Sequence, residues 1–267
     1  WMGSSKNPKD KGTIRREGSM KALKDSMVWL RTLRDFTFGI ESELMNLNNE
    51  WIVGFVDGDD WIKENMYDYL LRLIIENNAD ASQIGFKFAF CENIKVKKEK
   101  EKIQIYHSKN ILQYYMDITT TKSGYYSVCS CLFKRKMIEG IFFRNGKINE
   151  DIDYKYKVLK ECNTFVTSNL IMYYYFQSGA STSNGAFKLR DFDLYDSAEE
   201  LYQMTQNESF GNIRYLGKVK KSKTAFSLLC RIAYFGISEN DINKKELIKN
   251  LTKEHRKNLH ILLFSPM

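Results

Sequence analysis

The 267-residue chain has no stretch approaching the ~18 consecutive apolar residues of a membrane-spanning helix. Its first residues, "WMGSSKNPKDKG", lack the apolar core of a secretory signal. Cysteine is sparse and oddly numbered: Cys91, Cys129, Cys131, Cys162 and Cys230, with irregular spacing. That pattern excludes a disulfide framework and suits reduced thiols in a cytoplasmic protein. Cys129 and Cys131 share one face if they lie on a strand. Zinc would need further ligands, and only His107 is even loosely near. Paired zinc ligands, and a basic region leading into leucine heptads, are both missing. The net charge of +8 therefore points to no nucleic-acid motif, and most lysines read as solvated surface. Anionic lipid or a phosphate-bearing substrate remain as partners for a pI near 9.0. Internal repeats and low-complexity tracts are absent as well.

What the chain does have is enough apolar residue, 43% of the total, for one sizeable core. Residues 1–25 are polar and glycine-containing and read as loop, and 26–48 as partly helical. The continuous apolar run 51–56 suits a strand buried on both faces. Residues 65–77 carry Met66, Leu70, Leu73 and Ile74 at helical spacing. Ile84, Phe86, Phe88 and Phe90 alternate with small or polar residues, which is the period of a strand. A charged excursion follows, then a helix that Ser108 could cap, ending near Met116. Residues 126–134 read as another strand, 148–162 as a helix with acids in its first turn, and 164–176 as one or two strands. Strands alternating with helices to about residue 178 predict an α/β layered sheet. Beyond about residue 187 the pattern is helical and amphipathic.

The segment with the most chemistry is "WIVGFVDGDDWIKENM", residues 51–66. An apolar strand ends in Asp57, Asp59 and Asp60. Carboxylates so close resist ionising together, so a positive partner belongs there. In open α/β sheets ligands sit at the carboxyl ends of strands. Magnesium or manganese takes one or two protein carboxylates plus substrate phosphates. A calcium EF-hand loop fails, because Trp61 and Ile62 stand where a ligand and a glycine are needed. A haloacid-dehalogenase-type phosphatase also ends a strand in Asp-x-Asp, but Trp61 occupies the place of its Thr or Val. A ligand-free acidic turn is the plainer alternative.

Three stretches, the first of them part of this run, belong together. "GFVDGDDWI", a helix and "ADASQIGF" come first, "INEDIDYKYKVL" (148–159) second and "YYYFQSGASTSN" (173–184) third. In this order they resemble family 2 glycosyltransferases of the GT-A fold. "LRDFTFGIES" upstream is more loosely similar to that family's Ala-Arg-Asn-x-Gly-Ile segment. The likeness covers residues 30–185. It implies an α/β GT-A mixed sheet flanked by helices over 1–185, incomplete at its N-terminus, with a helical appendage over 186–267. The family's opening strand and Asp-Asp-Gly-Ser are missing, "WMGSSKN" standing near the latter's place, so the edge of the next strand should be bare unless residues 1–30 fold back over it.

The resemblance also implies roles. Asp57 contacts the nucleotide or ribose, Asp59 binds Mn²⁺ or Mg²⁺, and Asp60 supports that site. Ser181 lies in the loop near the donor phosphates, and Trp61 meets the acceptor. Asp151 is the catalytic base and Glu150 orients it or the acceptor. Acids at a helix start also serve as caps, which is the plainer reading of that pair. The implied activity is metal-dependent, inverting transfer from a nucleotide sugar, a UDP-sugar foremost, to a hydroxyl on a glycan or lipid-linked glycan in surface-polysaccharide or cell-wall assembly. A GT-A scaffold without turnover is the alternative. The basic residue that often follows the aromatic strand is absent, Gln177 and Ser178 standing there. Finally, "GKVKKSKTAFSLLCRIAYFG" mixes five basic residues with Phe226, Leu228, Leu229, Ile232 and Phe235. It reads either as a helix packed on the catalytic domain or as one making peripheral contact with an anionic membrane at its cytoplasmic face.

Overall fold

The structure is a computed structural model. It describes residues 27–30 (backbone only), 52–90, 100–122, 124–177, 185–238, 243–257 and 259–260. The chain divides into two compact units, each discontinuous in sequence: Trp1–Ile111 with Val128–Phe143 and Val158–Ser178, and Leu112–Ser127 with Arg144–Lys157 and Gly179–Met267.

The first unit holds a mixed seven-stranded sheet. Its strands are β1 (Met27–Leu30), β2 (Ile52–Phe55), β3 (Trp61–Ile62), β4 (Ala81–Ala89), β5 (Ile103–His107), β6 (Cys131–Lys134) and β7 (Thr164–Phe176). The order is β1-β2-β6-β4-β7-β3, with β5 also on β7. Only β4 and β7 run parallel; the other pairs are antiparallel. The long β7 is shared: β5 takes its first half and β3 its second. Helix α1 (Met66–Glu76) buries Met66, Leu70, Leu73 and Ile74, the residues its sequence period selects. It is tied to β4 by the Ser82 hydroxyl, which donates to the Leu70 carbonyl at 2.8 Å. Tyr69 on the same helix donates to the Ser168 hydroxyl of β7 at 2.8 Å. The β4–β7 register shifts around Gly85. A Cβ there would lie 2.8 Å from the Asn169 carbonyl oxygen, so only glycine lets β7 bulge against β4.

Several expectations change. Met27–Leu30, read as partly helical, is a strand antiparallel to β2. Residues 27–30 thus fold back over one edge of β2, the condition under which that edge was expected to be covered, and strand pairing has overridden the helical period. Residues 126–134 are strand only from Cys131. Before it the chain turns twice, Ser127 N–H to the Gly124 carbonyl and Cys131 N–H to that of Val128. Cys129 and Cys131 are thus not strand neighbours; neither they nor Cys162 nor the exposed Cys230 form a disulfide. Residues 164–176 form one strand. The helix after Ser108, α2 (Lys109–Thr121), runs past Met116. Three consecutive threonines end it by donating to carbonyls four residues back. The readings of residues 1–25, "WMGSSKN", Cys91 and "LRDFTFGIES" lie outside the described residues.

The second unit is helical. Besides most of α2 it contains the start of α4 (Asp151–Glu161; α3 is the short Arg135–Ile138), α5 (Phe192–Gln206), α6 (Ile213–Phe235) and α7 (Lys244–Lys257). Leu228 and Ile232 of α6 pack with Leu247 and Leu251 of α7 around Phe187. Residues 217–236, read as packing on residues 1–185, reach them through Lys220 and Lys223, which donate to the Thr119 and Thr120 carbonyls at 3.1 Å; Leu228 and Ile232 pack instead within the helical region, while Phe226 and Phe235 stay exposed. Among the described residues no helix is long and apolar enough to cross a membrane.

Candidate active site: an acidic turn braced by Tyr173

All four residues of β2 are buried, and Asp57 follows two residues after its end at Phe55. The Asp60 N–H donates to the Asp57 carbonyl at 3.1 Å, closing a turn over Asp57, Gly58, Asp59 and Asp60. Gly58 and Asp59 are exposed; Asp57, Asp60 and Trp61 are half-buried. No heavy atom would come within 4 Å of a Cβ on Gly58.

β7 holds the turn from beneath. The Asp57 N–H donates to the Tyr173 hydroxyl at 3.1 Å. That hydroxyl donates to Asp60 Oδ2 at 2.6 Å. The Phe176 N–H donates to Asp60 Oδ1 at 2.8 Å. Trp61 pairs with Tyr174 across β3–β7 and stacks on its ring, centroids 5.8 Å apart and planes 13° apart. The Lys63 N–H extends the clamp to the Met172 carbonyl at 2.8 Å.

This arrangement splits the three acids. Burial is the main cause that pushes Asp60 up to about 7; the Tyr173 and Phe176 hydrogen bonds oppose it, and the charges of Asp57 and Asp59 add to it. Both Asp60 oxygens are committed inward, so it is a brace that can hold a proton near neutral pH. Burial raises the Tyr173 phenol far above its ordinary range, so it acts only as a hydroxyl.

Among the described residues, no group of three His, Cys, Asp or Glu side chains could hold a metal ion. This also leaves the zinc reading of Cys129, Cys131 and His107 without a site. A protein-only metal cage does not form at the turn. Asp57 and Asp59, two residues apart on the turn, nevertheless carry hard carboxylate oxygens, the donor type that suits Mg²⁺ or Mn²⁺ when phosphate oxygens and water complete the shell. The residues fit an ion brought with a phosphate-bearing ligand.

In the second unit, Glu150 and Asp151 stand at the start of α4 and are buried, 1% and 7% exposed. The turn carrying them is fastened to α5. Asn149, at φ +58°, accepts from the Ser197 hydroxyl at 2.8 Å through its carbonyl. The Ile148 N–H donates to Asp193 Oδ2 at 3.0 Å, and Lys147 pairs with Asp193 at 2.7 Å. Arg144 hydrogen-bonds Ser197. It also pairs at 3.1 Å with the buried Asp153, which Lys157 meets from the other side at 2.9 Å. One turn beyond Asp151, the fully buried Lys155 donates to the carbonyls of Tyr125 and Ser127 at 3.0 and 2.9 Å. Burial, then the Asp151 charge, raises the Tyr154 phenol above its ordinary value.

Ser181 lies outside the described residues. Nothing local marks Tyr173 as the brace: strand period puts Tyr173 and Tyr175 on one face but does not say which tyrosine meets Asp60. Nor did it mark Lys155, whose partners are backbone carbonyls.

No family model matches the chain, and no curated protein matches it. Among solved structures it is similar to S. aureus TarS. The match to residues 1–349 of that protein in complex with UDP-GlcNAc has 14% identity and a TM-score of 0.47, covering 79% of this chain and 59% of that one. The same fragment alone gives 15%, 0.48, 79% and 58%. The longer TarS structure gives 15%, 0.44, 79% and 35%. The chain thus spans less than two thirds of the length of these structures.

Proposed function

We propose that this chain is a metal-dependent, inverting glycosyltransferase that moves a sugar from a nucleotide-sugar donor, a UDP-sugar foremost, to a hydroxyl of a glycan acceptor. The resemblance of the three ordered motifs to family 2 enzymes supports the reading. The observation that carries it is the braced turn: Asp57 and Asp59 stand either side of Gly58 just past the end of a buried strand, and Asp60 has a separate structural task.

In this reading Asp57 contacts the ribose and Asp59 holds the divalent ion. When bound, that ion offsets charge on the departing diphosphate. Trp61, fixed by its stack on Tyr174, meets the acceptor. Asp151 takes the acceptor's hydroxyl proton while the new oxygen–carbon bond forms and the bond from the anomeric carbon to the diphosphate oxygen breaks. A single displacement inverts that carbon. A positioned carboxylate base contributes about 10²–10⁴-fold. Glu150, buried beside Asp151 in sequence, orients the base. The scaffold without turnover is the competing reading, and the absence of a three-ligand metal group among the described residues is what favours it.

Calorimetry with UDP and UDP-sugars, with and without Mn²⁺, tests the first step, and donor turnover the second. Wild type should bind UDP more tightly with Mn²⁺, and Asp59→Asn should lose that gain. Asp151→Asn should bind as wild type and turn over about 10²–10⁴-fold more slowly. Asn caps a helix about as well as Asp, so full activity in Asp151→Asn would reduce Asp151 to a cap. No nucleotide binding under any condition would leave the scaffold.

A further inference from the structure

A groove in the helical unit takes no part in the proposed chemistry. It lies between α7 and the start of α5 and has a volume of about 390 Å³, within the range of small-molecule sites, about 300–1,000 Å³. Its apolar side is built by Leu189 and Phe192 with Leu247 and Leu251 of α7. Phe192 is set edge to face on the buried Phe187 at 5.3 Å, and Leu189 is 55% exposed. The polar side is a row on α7: Asn243, Glu246, Asn250 and Glu254. At about 100° per residue these four fall within about 80° of one another, and Leu247 and Leu251 come next around the helix. The groove is therefore polar along one side and apolar along the other.

The polar row asks for hydrogen-bond donors, because carboxylates only accept and each amide carbonyl accepts as well. Part of that capacity is used within the unit. The Glu246 N–H donates to Asn243 Oδ1 at 3.2 Å, and the Tyr195 hydroxyl closes one end by donating to Glu254 at 3.2 Å. Asn243, Glu246 and Asn250 are exposed. The charges along the rim are of both signs. Lys257 and Lys221 pair with Glu254, and its hydrogen bond to Lys257 chiefly holds that carboxyl below the ordinary range. The exposed Lys253 stands about two turns beyond Glu246 on the same line of the helix. A cation would meet these lysines and an anion the carboxylates, so the rim selects neither charge. A neutral ligand with hydroxyl groups along one edge and C–H groups on one face matches both sides of the groove.

We propose that this groove binds a sugar ring of a neutral glycan, with the ring's C–H face on Leu189 and Phe192 and its hydroxyls on Glu246 and Asn250. A pyranose has such a face because its axial C–H groups gather on one side while hydroxyls point from the edge. The partial positive charge of those C–H groups suits the negative face of an aromatic ring. The hydroxyls supply the donors that the carboxylate and amide oxygens lack. The groove shares no residue with the acidic turn or with Glu150 and Asp151, so the inference stands whether or not the chain transfers sugar.

Saturation-transfer NMR on the full chain tests this, with glucose, N-acetylglucosamine, cellobiose and chitobiose as probes. Wild type should bind at least one of them with a dissociation constant of about a millimolar, the scale expected of so few heavy atoms. It should bind neither choline nor inorganic phosphate at the same concentration. Glu246→Ala/Asn250→Ala should weaken sugar binding about tenfold, because two hydrogen bonds are lost. Leu189→Ser should weaken it about threefold. All three side chains are exposed, so both variants should fold, and circular dichroism checks that. UDP with Mn²⁺ should not displace the sugar, which separates the groove from the acidic turn. Absence of binding by all four sugars overturns the proposal. So does binding of choline or phosphate in their place, sugar binding by both variants equal to that of wild type, or displacement of the sugar by UDP.

Discussion

Tyr173→Phe removes one oxygen atom and keeps the ring. In the wild type that oxygen accepts from the Asp57 N–H and donates to Asp60, so a single hydroxyl spans the first and last residues of the acidic turn. Tyr173 is fully buried, so water does not replace it without rearrangement. A hydrogen bond to a charged group contributes about 1.5–3 kcal/mol, and a neutral one about 0.5–1.5. Asp60 is partly neutral at pH 7, which puts the first bond towards the lower end. The Phe176 N–H remains to hold Oδ1. The expected loss is therefore about 2 kcal/mol. Urea denaturation at pH 7.5 reads it, with an unchanged denaturant slope showing that the native state stays compact. The proposed role adds a second readout: with the turn released, Mn²⁺-dependent nucleotide affinity should fall alongside stability. Stability within about 0.5 kcal/mol of wild type, the range of surface substitutions, would refute the brace. Lost stability with unchanged nucleotide affinity would show that the brace does not serve the site.

Gly58→Ala meets no atom within 4 Å and needs no unusual backbone, so its stability should stay within about 0.5 kcal/mol of wild type by urea denaturation. If a donor passes over the turn, the added methyl should weaken nucleotide binding about tenfold, and unchanged affinity would move the donor elsewhere. Lys220 donates to the Thr119 carbonyl at 3.1 Å beside the Tyr126 ring. Burial, then Lys223, lowers it from 10.5 to about 8. Between those values the unfolded chain binds more protons, so this group's contribution to stability rises with pH and its penalty is complete below about 8. Lys220→Met should thus stabilise the protein by about 1–2 kcal/mol at pH 7, allowing for a half-buried side chain and one lost hydrogen bond. That advantage should shrink by pH 10, and an advantage constant with pH would refute the argument.

What could be read in the sequence was local and periodic. Met66, Leu70, Leu73 and Ile74 at helical spacing, and the alternation from Ile84, each carry enough signal within a dozen residues to mark α1 and β4. The acidic run marked a candidate site because charge at the end of an apolar strand is locally anomalous. What stayed hidden depends on partners far along the chain. β1 exists by pairing with β2, and nothing between Met27 and Leu30 distinguishes it from a helix. The break before β6 comes from two turns that "YSVCS" does not advertise. Tyr173 acts on residues 113 positions earlier, and Lys155 on carbonyls some 30 back. Such contacts follow from topology rather than from composition.

The crowding of Asp57, Asp59 and Asp60 has a physical resolution that does not need all three to face one ion. Three exposed carboxylates in four residues would each raise the others' pKa, and a single divalent ion would be shared among too many ligands. Turning Asp60 inward changes the balance. Its burial raises it to about 7, so near neutral pH it carries only part of a charge and repels its neighbours less. Its oxygens instead take the Tyr173 hydroxyl and the Phe176 N–H, which fixes where the turn begins and ends. Asp57 and Asp59 are then left as a pair across one glycine, presented by a backbone that β7 holds still. The third acid shapes the turn so that the other two can act, which is why Asp60→Asn, able to accept the same two hydrogen bonds through its one carbonyl oxygen only in part, is a milder change to the site than Asp59→Asn.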